Sequence, residues 1–176
     1  MTGATSRIGL AMTVALLAGC GGGPAPAPRP SAPFVLPSTA AALSPAIYMQ
    51  LVSTSSLFAV RASELAAERA SSSRTRSAAQ AILRDQGGVA AQLSFAGRRL
   101  ELLPSAALTD SQTAELERLR MSSAFDSDYR RAVADALSRA LEAHQAFARS
   151  GSSPTLRPVA EMAAPVTRRN LDSLRR

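Results

Sequence analysis

The chain has no lysine and no tryptophan, and it has one cysteine and one histidine in 176 residues. A single cysteine excludes an intrachain disulfide framework and any multi-cysteine metal site. A single histidine excludes a multi-histidine centre. Aromatic residues make up only 4% of the chain, which leaves little with which to stack bases. No strand-like alternation lasts beyond a few residues, and no segment recurs with the period of about 20–50 residues that marks repeat architectures. No glycine-rich phosphate loop follows a strand, no Ser/His/Asp arrangement is present, and paired carboxylates are missing from interior positions. What is abundant is alanine, 36 residues of the total, and arginine, which supplies all 20 basic side chains against 13 acidic ones. An alanine-rich, aromatic-poor interior favours close helix–helix packing over a sheet core.

The first residues read as an address. Arg7 precedes an eleven-residue apolar run, Ile8 to Ala18, which falls short of the about 20 residues that span a bilayer. It fits the middle of a secretory signal followed by small residues at the cut. Leu17-Ala18-Gly19-Cys20 resembles the bacterial lipoprotein box. That resemblance implies a diacylglyceryl thioether on Cys20, cleavage before it, and acylation of the new α-amine. Each buried methylene adds about 0.8 kcal/mol, so two or three acyl chains anchor a protein without a spanning helix. Gly21 stands where an Asp would imply inner-membrane retention, so the resemblance points to the outer membrane, facing the periplasm.

Residues 1–19 are therefore expected to be the signal peptide, 20–43 a lipidated cysteine and linker, and 44–176 the folded domain. In the linker, Gly21-Gly22-Gly23-Pro24-Ala25-Pro26-Ala27-Pro28-Arg29-Pro30 disfavours helix and sheet interiors alike. At about 3.1 Å per residue, such a Pro/Ala-rich spacer reaches up to roughly 60 Å.

From Ser44 the apolar period is helical. Ser44-Pro45 supplies a capping hydroxyl and a first-turn proline. Tyr48, Leu51, Val52, Ser55, Phe58, Ala59, Ala62, Leu65 and Ala66 form one inward stripe. A second helix, from about Ser73 to Ala96, carries Ala79, Ile82, Gln86, Val89, Ala90 and Leu93 inward, with a weak point expected at Gly87-Gly88. Thr109-Asp110-Ser111-Gln112 reads as a capping box opening a short helix. The next helix, from Asp126, turns Tyr129, Val133, Ala136, Leu137, Ala140, His144 and Phe147 inward. Asp126 and Asp128 are expected to act as its cap and dipole partners. Past the stop at Gly151-Ser152-Ser153-Pro154, a last helix directs Val159, Met162, Ala163, Val166, Asn170 and Leu174 inward, and Pro165 should kink it. The expected fold is an all-α bundle of four long helices and one short one.

Three segments at these spacings carry a further signal. They are Leu65-Ala66-Ala67-Glu68-Arg69-Ala70-Ser71 running on to Ile82-Leu83-Arg84-Asp85-Gln86, Ala124-Phe125-Asp126-Ser127-Asp128-Tyr129, and Met162-Ala163-Ala164-Pro165 with Asn170-Leu171. Together they resemble the bacterial envelope proteins grouped as domain of unknown function 4142, which implies a ferritin-like four-helix bundle. In the second segment the match is to the family's Phe-Asp-x-x-Tyr start of its third long helix. The resemblance also implies an inward Glu on the first helix and an inward His on each of the other three long helices. In this register those positions fall on Ala59, Gln86, Leu137 and Asn170. Alanine and leucine offer no lone pair, and amides are poor transition-metal ligands, so no metal or other cofactor is expected.

Other candidates are fewer. His144 reads either as a relocated ligand or base, or as a boundary histidine with its ring partly wet, the reading preferred here. Gln86 and Asn170 are placed to bond each other, a trapped water or a small polar ligand inside the bundle. Arg168, Arg169, Arg175 and Arg176 set a basic C-terminus. With 19 Arg against 13 acidic residues after loss of Arg7, the mature charge is +6. Such a cluster suits an anionic lipid or peptidoglycan, or simply complements the helix dipole. Nucleic acid is not expected as a partner outside the cytoplasm. The functional expectation is thus a lipid-anchored periplasmic bundle that is not an enzyme, with a structural or binding role. The alternatives are arginine-driven contact with an anionic envelope polymer or lipid, and residual ferritin-like metal or oxidative chemistry using His144 and nearby carboxylates.

Overall fold

The computed structural model describes residues 43–175, and these form only helices and their connections. In chain order the helices are α1 (Pro45–Arg69), α2 (Ser73–Arg98), α3 (Asp110–Met121), α4 (Phe125–Ser150) and α5 (Arg157–Arg175). The signal segment, Cys20, the linker up to residue 42, and Arg176 lie outside the described residues. Leu43, assigned above to the end of the linker, already packs half-buried against the core.

Local chemistry sets the helix starts. Ser44 Oγ accepts from Ile47 N at 3.3 Å with Pro45 in the first turn, and Ser72 Oγ accepts from Thr75 N at 3.4 Å. Thr109 and Gln112 complete both halves of a capping box on α3. The turn into α5 is held by Ser153 Oγ, which accepts from Leu156 N at 3.3 Å. At the end of α2 the chain folds back so that Leu102 N donates to Gly97 O at 2.9 Å. A Cβ at position 97 would lie 2.2 Å from Leu102 O, so only glycine fits there.

The four long helices pack in a ring, α1 against α2 and α4, and α5 against α2 and α4. Each neighbour runs antiparallel: short turns join α1 to α2 and α4 to α5, and Tyr48–His144 and Ser63–Tyr129 bonds align α1 with α4 in opposite senses. Because α2 and α4 are then parallel, the chain between them must return along the bundle. The 99–109 connection and α3 make that return over the α1–α4 side, where α3 touches both helices.

Two stripes differ from expectation. On α5 the buried residues are Ala160, Ala163, Thr167, Asn170, Leu171 and Leu174, whereas Val159 and Val166 are half-buried and Met162 is exposed. The small side chains form the seam because they let α5 approach its neighbours closely, leaving the larger apolar groups on its flanks. On α1 the run Ser53-Thr54-Ser55-Ser56 is buried in full, since α2, α4 and the α2–α3 connection cover it from three sides, with Ser105 N donating to Ser53 Oγ at 2.9 Å. The α2 helix runs unbroken through Gly87-Gly88, and α5 continues past Pro165.

Candidate functional site

The core divides into two apolar clusters. One holds Phe58, Ala59, Ala62, Ala79, Ile82, Tyr129, Val133, Leu137, Leu171 and Leu174 among others. The other is built around Tyr48, Met49, Val52, Val89, Leu93, Phe147, Leu156, Ala160 and Ala163. Between them, each of the four long helices places polar side chains in the interior. These are Ser53 to Ser56 on α1, Gln86 on α2, and Thr167 and Asn170 on α5, bordered by His144 on α4. This polar waist is the candidate functional site.

Its centre is a chain of hydrogen bonds. Ser56 Oγ donates to Gln86 Oε1 at 2.8 Å, Gln86 Nε2 donates to Asn170 Oδ1 at 2.9 Å, and Asn170 Nδ2 donates to Asp85 Oδ2 at 2.7 Å. Gln86 is 0% and Asn170 1% exposed, while Asp85 is half-buried, so the chain runs from the bundle axis outward to the α2–α5 edge. The amide pair expected from the sequence is therefore present. Ala59 and Leu137, the other two positions where the resemblance implies ligands, are fully buried in the apolar cluster next to the waist, with Ala59 one turn beyond Ser56. Among the described residues, no three His, Cys, Asp or Glu side chains stand close enough to hold a metal ion.

His144 is not the partly wet boundary residue expected. It is 0% exposed, because α1 lays Tyr48 over it. Tyr48 Oη and His144 Nδ1 are 2.9 Å apart, the rings meet edge to face, and Phe147 stacks on Tyr48 at 4.1 Å between ring centres. Burial away from water disfavours the charged imidazolium and holds the His144 pKa down to about 4, and the same burial raises that of the Tyr48 phenol.

The Phe-Asp-x-x-Tyr segment has a structural explanation at each motif position. Phe125 is buried under the Arg69 guanidinium, 5.0 Å from its ring centre, and stacks on Tyr129. Arg69 also donates to the carbonyls of Leu119, Arg120 and Ser122, tying down the end of α3. Asp126 does not cap its own helix, as expected above; α4 has no side-chain cap. Instead it accepts from Ser71 N at 3.0 Å, Ser71 Oγ at 2.6 Å and Ser72 N at 3.2 Å, fixing the α1–α2 turn. The Ser71 hydroxyl bond is the main reason its pKa falls to about 2. Asp128 also looks outside the backbone of its own helix, accepting from Ser122 Oγ at 2.6 Å and from Arg131, and its pKa is lowered chiefly by the Ser122 bond. Tyr129 Oη bonds Ser63 Oγ at 2.8 Å, and burial pushes the phenol up to about 12.

Of the C-terminal arginines, Arg176 lies outside the described residues. Arg168, Arg169 and Arg175 are exposed, but Arg168 and Arg175 share a shallow groove with Glu142 and Asp172, while Arg169 is about 100° further round the helix. Sequence reading missed Ser56, Asp85 and Thr167 in the waist; for Ser56 the unbroken hydroxyl run at 53–56, set between Leu51-Val52 and Leu57-Phe58, was the available signal.

No curated protein and no solved structure matches the chain. The family model for Domain of unknown function (DUF4142) matches residues 32–176. That match takes in all five helices, the polar waist and the Phe125–Tyr129 segment, and the chain belongs to this family.

Proposed function

We propose that this chain is a lipid-anchored protein of the cell envelope, facing the periplasm from the outer membrane, whose helical bundle has a structural or binding role rather than a catalytic one. The observation that carries the reading is the state of the waist: Gln86 and Asn170 spend their hydrogen-bonding groups on each other, Ser56 and Asp85, and Ala59 and Leu137 offer only hydrocarbon. The amide chain, satisfied in this way, stabilises one helix register and leaves neither Gln86 nor Asn170 free to act on a substrate. The Leu17-Ala18-Gly19-Cys20 segment, with its resemblance to a lipoprotein box, supports the anchored location; among the described residues no helix is long and apolar enough to cross a membrane. Replacing Cys20 by Ala tests the anchor. The variant should move from the membrane to the soluble fraction, and full retention on the membrane would refute it.

A second reading, contact with anionic lipid or peptidoglycan, is favoured by the exposure of Arg168, Arg169 and Arg175. Pull-down on peptidoglycan or anionic vesicles at two salt concentrations tests it. Binding that weakens as salt rises supports this contact, and no binding at low salt removes it.

A further inference from the structure

Two groups in the waist are left out of its hydrogen-bond chain. Among the described residues, His144 Nε2 and Thr167 Oγ1 are buried and make no hydrogen bond, and both residues are 0% exposed. Buried polar atoms are nearly always paired with protein or with ordered water, so two orphans in one layer call for a partner. They sit on adjacent antiparallel helices. Leu141 and Gln145 of α4 line one groove with Arg168 and Leu171 of α5, which sets His144 and Thr167 at the same level of the α4–α5 seam.

The protonation of His144 follows from its other nitrogen. Tyr48 Oη has Nδ1 as its one hydrogen-bond partner, at 2.9 Å, and Tyr48 is itself 0% exposed. A phenol that only accepted there would bury its own hydrogen unpaired. Tyr48 therefore donates, Nδ1 accepts, and neutral His144 carries its proton on Nε2. Nε2–H is then a donor without an acceptor, and the Thr167 hydroxyl both accepts and donates. One helical turn away on the same faces stand Ala140 beside His144 and Ala163 beside Thr167, both fully buried, purely hydrocarbon and small.

We propose that the waist holds one internal water molecule between His144 and Thr167. It accepts from His144 Nε2–H and donates to Thr167 Oγ1, joining the Tyr48–His144 pair to the helix that carries Asn170. Water suits the site because it is small, neutral, and able to accept and donate at once.

Thr167→Val in the full chain distinguishes this from a pair of genuine orphans, because the sign of the effect reverses. With a water in place, the variant strips it of a partner and leaves Nε2–H poorly served. The melting temperature should fall, and the unfolding constant should rise on the order of tenfold. Without a water, valine removes an unpaired buried hydroxyl at nearly constant shape. An unchanged or higher melting temperature would overturn the proposal. A crystal structure of the unmutated chain supplies the second reading and serves alone if the variant does not fold. Density for one water within hydrogen-bonding reach of both atoms is expected, and an empty or purely apolar contact there would also overturn it.

Discussion

Lowering the pH from 7 to 5 should cost this fold about 2 kcal/mol through His144 alone. The folded imidazole is held at about 4 by burial, against 6.5 when the chain unfolds. Between those values the unfolded state binds the extra proton and the folded state does not, so stability rises with pH. The contribution is therefore complete above pH 6.5, is lost as the pH falls, and stops changing below about 4. A full shift of this size corresponds to about 3 kcal/mol, and most of it is spent by pH 5, above the range where ordinary carboxylates titrate. Because His144 is the chain's one histidine, the assay is clean: urea unfolding at a series of pH values, beside the imidazole NMR titration of the folded protein. His144→Gln should be less stable at pH 7 and should lose the slope between pH 7 and 5. Equal slopes in both proteins, or an imidazole titrating near 6.5, would refute the burial argument.

Other perturbations follow from the same contacts. Asn170→Leu strands the Gln86 amide and should cost about 1–3 kcal/mol, whereas Gln86→Leu/Asn170→Leu should cost clearly less than the two single changes summed. Additive losses in urea unfolding would mean that the amides do not interact. Asp126→Ala removes the acceptor of three bonds at the α1–α2 turn and should cost about 1 kcal/mol. The wild-type contribution should be present above about pH 3.8 and disappear as the pH falls toward 2. At the outward-facing Gly87 and Gly88, where an added Cβ meets nothing within 4 Å, alanine should raise stability by up to about 1 kcal/mol each. A lower melting temperature for either would show that the glycines have a packing role.

Much of the fold was legible because its signals are local. The Ser44 cap, the Thr109–Gln112 box and the 3.6-residue stripes of α1, α2 and α4 each depend on a few neighbouring residues. The α5 stripe was less legible: hydrophobicity pointed to Val159, Met162 and Val166, while tertiary packing selected the smaller Ala160, Ala163 and Thr167. Gln86 and Asn170 could be paired in advance because both occupy inward stripes at matching family positions. Their extension to Ser56 and Asp85 depends on which helix lies beside which, and no spacing within one helix encodes that. Asp126 misled for the same reason. A carboxylate in the first turn suggests a cap on its own helix, but Asp126 accepts instead from Ser71 N and Ser72 N on another turn. His144 reads as a boundary residue until Tyr48, 96 positions earlier, is laid across it.

At the waist, Gln86 and Asn170 are bonded to each other, Ser56 and Asp85 rather than arranged as metal ligands. Elemental analysis of the purified protein, after dialysis against buffer without chelator, checks this. Iron, manganese and zinc are expected far below one atom per chain. A tightly held, stoichiometric metal ion that is lost on replacing Gln86 and Asn170 by leucine would contradict it.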